Sequence, residues 1–117
     1  MTKELKIKDN RIKKILSELE LKLRDLFKDN LKKIVLYGSY ARGTYDDESA
    51  IDVMVLVNGI DKKEYKKYIT DIRLELTINY SILPSITIEN ENEYYKNIDV
   101  QFLFKNIESE GIELYAA

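Results

Sequence analysis

From residue 12 the apolar positions fall at Ile12, Ile15, Leu16, Leu19, Leu23, Leu26 and Phe27, with lysine and glutamate between them. Steps of three and four put these side chains on one face of a helix. The spacing predicts an amphipathic helix over about 10–29, capped by Asp9 or Asn10 and ending near Asn30. The pattern then changes. "KKIVLYGS" holds a continuous apolar run that stops at Gly38, which predicts a short buried strand. Residues 39–42 can make a turn of helix before Gly43, and "TYDDES" (44–49) reads as a polar, acidic loop. From Ala50 to Val57 every residue is apolar except Asp52, and Asn58-Gly59 closes this second strand. A helix is expected from Asp61 to about Asn79, with Tyr65, Tyr68, Ile69, Ile72, Leu76 and, at its margin, Leu74 as the buried stripe. "SILPSITI" has strand composition, and Pro84 assigns it to an edge or a bulge. A last helix falls within 91–109, stops at Gly111 and leads into the strand "IELY". Four strands alternating with helices place the chain in the α/β class.

Length and composition narrow the chemistry. The chain of 117 residues is expected to form one domain (1–117), without room for a separate substrate-binding unit. Its 44% hydrophobic and 34% charged residues describe an ordinary globular composition. There is no cysteine and no histidine, which excludes disulfides, thiolate metal sites and the commonest general base. Catalysis would rest on carboxylates, hydroxyls, lysines or a metal ion. No apolar stretch approaches the roughly 18 residues of a membrane span, and the Lys-rich start lacks a signal-peptide core, so a cytoplasmic protein is expected. Residues 1–33 carry 11 Lys+Arg against 6 Asp+Glu, whereas the remainder carries 8 against 15. That imbalance suits a solvated basic helix on an acidic body, able at most to dock on an acidic partner, and argues against nucleic-acid binding.

The chemistry concentrates in "YGSYARGTYDDESAIDVMVLV", residues 37–57. Gly38-Ser39 stands where a strand turns into a helix, a junction whose free N–H groups and positive dipole end can hold a phosphate, or which can simply be a serine-capped turn. On the strand, side chains alternate, so positions 50, 52 and 54 point the same way. Two aspartates spaced by one residue would converge on one magnesium ion, the remaining places being filled by water and phosphate oxygens. Only Asp52 is present. A lone acid in so apolar a strand is costly unless it is paired, coordinated or at the mouth of a cleft, and a hydrogen-bonded structural aspartate is the plain alternative. Arg42 could reach a phosphate, although pairing with the acidic loop Asp46, Asp47 and Glu48 is the stronger expectation. Tyr40 and Tyr45 lie near enough to touch a base.

A Gly-Ser pair, ten intervening residues and then Asp-x-Asp is the signature of the DNA polymerase β-like nucleotidyltransferase superfamily, and "GSYARGTYDDESAIDVMVLV" resembles it with Ala50 in place of the first aspartate. The "GSYARG" flavour and the tail "FKNIESEGIELYA" resemble the minimal nucleotidyltransferase (MNT) family, small proteins often paired as antitoxins with HEPN ribonuclease toxins. The likeness spans roughly residues 31–116. It implies a small mixed sheet of about four strands flanked by helices, ATP as substrate and Mg2+ as cofactor. Carried over by position, Gly38 and Ser39 would hold the triphosphate, with Arg42 as a further nucleotide contact, and Asp52 would bind magnesium. Ala50 takes the place of the other metal ligand. Many members use a third carboxylate on the next strand; the candidate here is Glu89, near that strand's end. Glu48 shares the parity of 50 and 52 if the second strand extends backward, which makes it a weak substitute ligand.

The resemblance therefore implies a reaction, transfer of AMP from ATP to a hydroxyl, with a tyrosine of a HEPN toxin as the acceptor. Ala50 implies a nearly inactive chain. Because the rest of the signature is complete and alanine is the minimal truncation, deliberate replacement of an aspartate is favoured over a natural member that has lost catalysis. The alternative is a non-catalytic module that neutralises its toxin by contact alone. Transfer to a small molecule is disfavoured because such enzymes usually carry another domain, and an oligomer remains open.

Overall fold

The structure, a computed structural model, describes residues 7–117. The first helix, α1, runs Asn10–Phe27 and continues as a tighter turn over Lys28–Asn30. Asp9 caps it, its carboxylate accepting a hydrogen bond from the Arg11 amide at 2.9 Å. Strand β1 (Leu31–Tyr37) follows, then the single turn α2 (Ser39–Arg42) and strand β2 (Ile51–Val57). The segment expected to be one helix from Asp61 is a 3-10 turn, Lys62–Tyr65, leading into α3 (Lys66–Tyr80). β3 spans Pro84–Asn90, α4 Glu91–Lys96, α5 Phe102–Glu110 and β4 Ile112–Ala116. The last predicted helix is thus two short ones, interrupted at 97–101.

The four strands form one mixed sheet in the order β3-β2-β1-β4. β1 is antiparallel to both β2 and β4, whereas β3 is parallel to β2 after the crossover through α3. Pro84 opens an edge strand, where its missing N–H costs the ladder nothing. β2 is central, which explains why its apolar run is continuous: it is covered on both faces. Ile51, Val53, Val55 and Val57 face the larger core with Ile15, Leu19, Leu23 and Phe27 of α1 and Ile69, Ile72 and Leu76 of α3. Met54 and Leu56 face a smaller core with Val35, Tyr94 of α4 and Ile107 of α5.

Two members of the expected α3 stripe are not in the core. Tyr68 is 51% and Leu74 55% exposed, because the helix buries only the narrow line Ile69, Ile72, Leu76. Tyr94 is the largest fully buried side chain, and its hydroxyl donates to Glu108 at 2.9 Å and to the Phe104 carbonyl at 3.3 Å. Those bonds clip α4 to α5. Tyr94→Phe is expected to cost about 1 kcal/mol in chemical denaturation, since it leaves the ring in place but strands two acceptors; an unchanged midpoint would count against the clip.

Candidate functional site

Gly38 ends β1 and starts α2, accepting helical hydrogen bonds from the amides of Ala41 and Arg42, both at 3.1 Å. Its backbone adopts φ 76, ψ −155, a region open essentially to glycine alone. The reason is visible one strand away. β1 and β2 pair with Tyr37 opposite Asp52, so the Asp52 carboxylate lies directly against Gly38. A Cβ on Gly38 would overlap an Asp52 carboxylate oxygen and stand 3.3 Å from Cγ. Glycine thus removes both a backbone strain and a collision, and lets the turn close on the acid.

Asp52 is half-buried, on the strand face it shares with Met54 and Leu56, where the cover of α4 and α5 runs out. Burial raises its carboxyl pKa above the ordinary value of 3.8, opposed by the positive charge of Arg42. Arg42 itself is bound at 3.1 Å to Glu110 at the end of α5. The expected pairing with the acidic loop is therefore corrected: Asp46 instead accepts from the Glu48 amide at 2.9 Å and from the Ser49 hydroxyl at 3.2 Å, turning the loop back on itself. Ala50 precedes β2 by one residue, so the strand begins one position later than expected.

The structure separates Glu89 from this group. In the parallel register Asp52 lies beside Ser85, whereas Glu89 lies beside Leu56, four residues on and roughly 13 Å along the strand. Glu89 pairs with Lys62 at 3.3 Å. The expectation that it joins Asp52 as a metal ligand is corrected by that register. Glu48 stands exposed in its turn, and no group of three or more acidic, histidine or cysteine side chains gathers among the described residues. Ser85 and Thr87 are the residues that β3 brings to the face of Asp52, and they carried no signal in the sequence. Tyr37, on the same face, has its hydroxyl pKa raised by burial, partly offset by a hydrogen bond with Thr87. Tyr40 and Tyr45 stack on each other, ring centroids 4.3 Å apart at 12°, and Tyr40 packs among the larger core rather than at the Asp52 face.

Asp52 gives the pH behaviour a definite sign. A folded-state pKa above the unfolded one means that protonation favours folding, and that the ionised form carries a stability cost above the folded pKa. Asp52→Asn is expected to melt above the parent near about pH 7, the gap closing as pH falls below the unfolded value. Thermal melts across that range test it, and a variant less stable than the parent at neutral pH would overturn it.

A Gly-Ser turn thus closes on the acid of the neighbouring strand. The family profile described as nucleotidyltransferase domain matches residues 10–113. The chain belongs to that nucleotidyltransferase family. Two proteins of Methanocaldococcus jannaschii, MJ0141 and MJ0604, each named as a candidate protein adenylyltransferase, resemble it closely. MJ0141 is 35% identical, covering 86% of this chain and 95% of its own length, and MJ0604 is 33% identical, covering 87% and 96%. The fold recurs in a toxin–antitoxin structure with AMP-PNP, TM-score 0.57 at 18% identity, covering 95% of this chain and 75% of that one. It recurs also in a structure of tri-AMPylated Shewanella oneidensis HEPN toxin with MNT antitoxin, TM-score 0.58 at 17% identity, covering 90% and 72%. The nucleotidyltransferase fold is thus a mixed four-stranded sheet here as well. Among the described residues no helix is long and apolar enough to cross a membrane.

Proposed function

We propose that this nucleotidyltransferase chain is an MNT-type antitoxin whose site takes ATP at Gly38 and Ser39 and whose reaction is transfer of AMP to a tyrosine hydroxyl of a HEPN ribonuclease toxin. The observation that carries the reading is the contact of the Asp52 carboxylate with the Gly38 turn. It brings the Gly38-Ser39 turn against the one acid of β2. In such a site the turn amides and the Ser39 hydroxyl would hold the triphosphate, and Arg42, half-exposed and near Asp52, would exchange Glu110 for a phosphate oxygen. The acceptor oxygen attacks the α-phosphorus in line as the bond to pyrophosphate breaks. Positioning and fixed charge do the work.

Magnesium fits this donor set only as an ion shared with the nucleotide. The chain offers one carboxylate, Asp52, where Ala50 removes a second, and magnesium accepts one or two carboxylates when phosphates and water complete its shell. Bound with ATP, it supplies positive charge to the phosphates and the departing pyrophosphate. A single carboxylate makes the chain a weak catalyst, and this favours a second reading: a domain that binds and restrains its toxin by contact alone, in the cytoplasm.

Labelled ATP, magnesium and the HEPN-type product of a neighbouring gene decide between them. With the Ala50→Asp chain, label is expected on the toxin and lost when the acceptor tyrosine becomes phenylalanine. A toxin left unlabelled yet fully inhibited in a stoichiometric complex would replace transfer by contact; no complex and no label would remove the antitoxin assignment altogether.

A further inference from the structure

β3 is an edge strand blunted only at its first position, by Pro84. Its register with β2 runs unbroken from Pro84 to Asn90, without a bulge. Beyond the Pro84 carbonyl, which accepts from Arg73 Nε at 2.9 Å, its outward backbone groups have no partner among the described residues. Such an edge is a template for another strand, and proteins commonly protect it with lysines on the strand, a bulge or a covering element. β3 carries no lysine, and its one charged residue, Glu89, is paired with Lys62 at 3.3 Å. The lysines stand beside the edge instead. Half of the eight Lys and Arg after residue 33 fall within 62–67. Between the start of α3 and β3 lies a cleft of about 250 Å³, lined by Lys62, Lys63, Lys66, Ile69, Ile86 and Ile88.

We propose that the β3 edge is a docking site for an extended acidic segment of a partner protein, paired strand to strand, with its apolar side chains on Ile86 and Ile88 and its carboxylates on Lys63 and Lys66. Three observations select this occupant. Ile86 and Ile88 lie beside Val53 and Val55, which puts them on the α3 side of the sheet, away from Asp52, and both are only partly buried. A strand added at the edge would cover them with every second side chain. Lys63 and Lys66 are exposed and make no ion pair among the described residues, so two positive charges stand unbalanced above that apolar floor. No carboxylate lines the cleft; Asp61 and Glu64 belong to the same turn, and Asp61 is spent on the Lys63 amide. The unpaired backbone groups call for a peptide, since a nucleic acid cannot complete a strand ladder. A second copy of this chain joined through its own β3 would bring more lysines and no free carboxylate. Charge complementarity therefore favours a different, acidic chain. This docking does not require nucleotidyl transfer.

Amide NMR and hydrogen exchange of the full chain test it with the heptapeptide Ac-Glu-Thr-Val-Thr-Val-Thr-Glu-NH2, which presents valine and glutamate on one face whichever way it runs. Saturable shifts confined to residues 62–69 and 84–90, with slowed exchange of β3 amides, are expected. The same peptide with lysine for both glutamates, and one N-methylated at its threonines and valines to remove strand donors, should each bind at least about tenfold more weakly. Lys63→Glu combined with Lys66→Glu, both at exposed positions, should weaken the glutamate peptide about tenfold and strengthen the lysine peptide. No saturable shift by about 5 mM, or equal binding of the glutamate and lysine peptides, overturns the proposal. Oligothymidylate that displaces the peptide and shifts the same residues would overturn it in favour of nucleic acid. A chain that sediments as a dimer with its β3 amides already protected would overturn it in favour of a second copy. Loss of nucleotide binding at Gly38 would leave all of these readings unchanged.

Discussion

A Gly38→Ala chain is expected to lose nucleotide binding and to be destabilised by about 2–5 kcal/mol, a substantial part of a typical small domain's stability. Two costs combine. Gly38 sits at φ 76, ψ −155, where an L side chain strains the backbone, and the added methyl meets the Asp52 carboxylate. Pairing with Tyr37 holds the Asp52 backbone in place, so relief requires the carboxylate to rotate away from the turn. Gly43→Ala serves as the control. It shares a positive φ, 79, but nothing lies within 4 Å of its Cβ, so only the left-handed backbone cost of about 1 kcal/mol is expected. Urea denaturation of the two variants and titration with Mg-ATP compare the combined cost at Gly38 with the left-handed backbone cost alone at Gly43. Equal losses in both would show that the contact between the turn and Asp52 carries no energy.

The second large effect runs the other way. Ala50→Asp should raise the rate of AMP transfer roughly 10²- to 10⁴-fold over the chain as it stands. Two unit charges about 4 Å apart interact by about 4 kcal/mol at an effective dielectric of 20, and a dication doubles this. Desolvation removes part, leaving ~3–5 kcal/mol of added stabilisation of the reacting phosphates. Steady-state transfer at saturating ATP and acceptor measures the ratio, with Asp52→Asn in the Ala50→Asp background as the variant that should abolish the gain. A change smaller than about threefold would mean that position 50 does not face the reacting phosphates. The same measurement bears on the contact-only reading, which needs the parent chain and the Ala50→Asp variant to inhibit the toxin equally.

The local pattern carried most of the fold. α1 could be read to within two residues because its apolar side chains repeat at one helical period, and Asp9 could be named as a cap because its carboxylate needs only its own next turn. Pro84 marked an edge strand for an equally local reason, the missing donor. Legibility failed where a residue's fate depended on what packs against it. The stripe of α3 was read too wide, since Tyr68 and Leu74 have helical spacing but no neighbour to bury them. One helix was expected in 91–109 where Tyr94 and Ile107 need two short ones to reach the same cluster.

At the candidate site the division is sharper. The sequence by itself determined that Gly38, Ser39 and Asp52 are separated by a fixed number of residues and that position 50 lacks a carboxylate. Spacing along a chain is covalent. Tertiary structure alone decided that the turn touches the acid, that Arg42 ends on Glu110 instead of the 46–48 loop, and that Glu89 stands far along β3 while Ser85 lies beside Asp52. These are consequences of strand register and helix docking, which are fixed by the shape of the whole core, and no residue encodes them in its own neighbourhood.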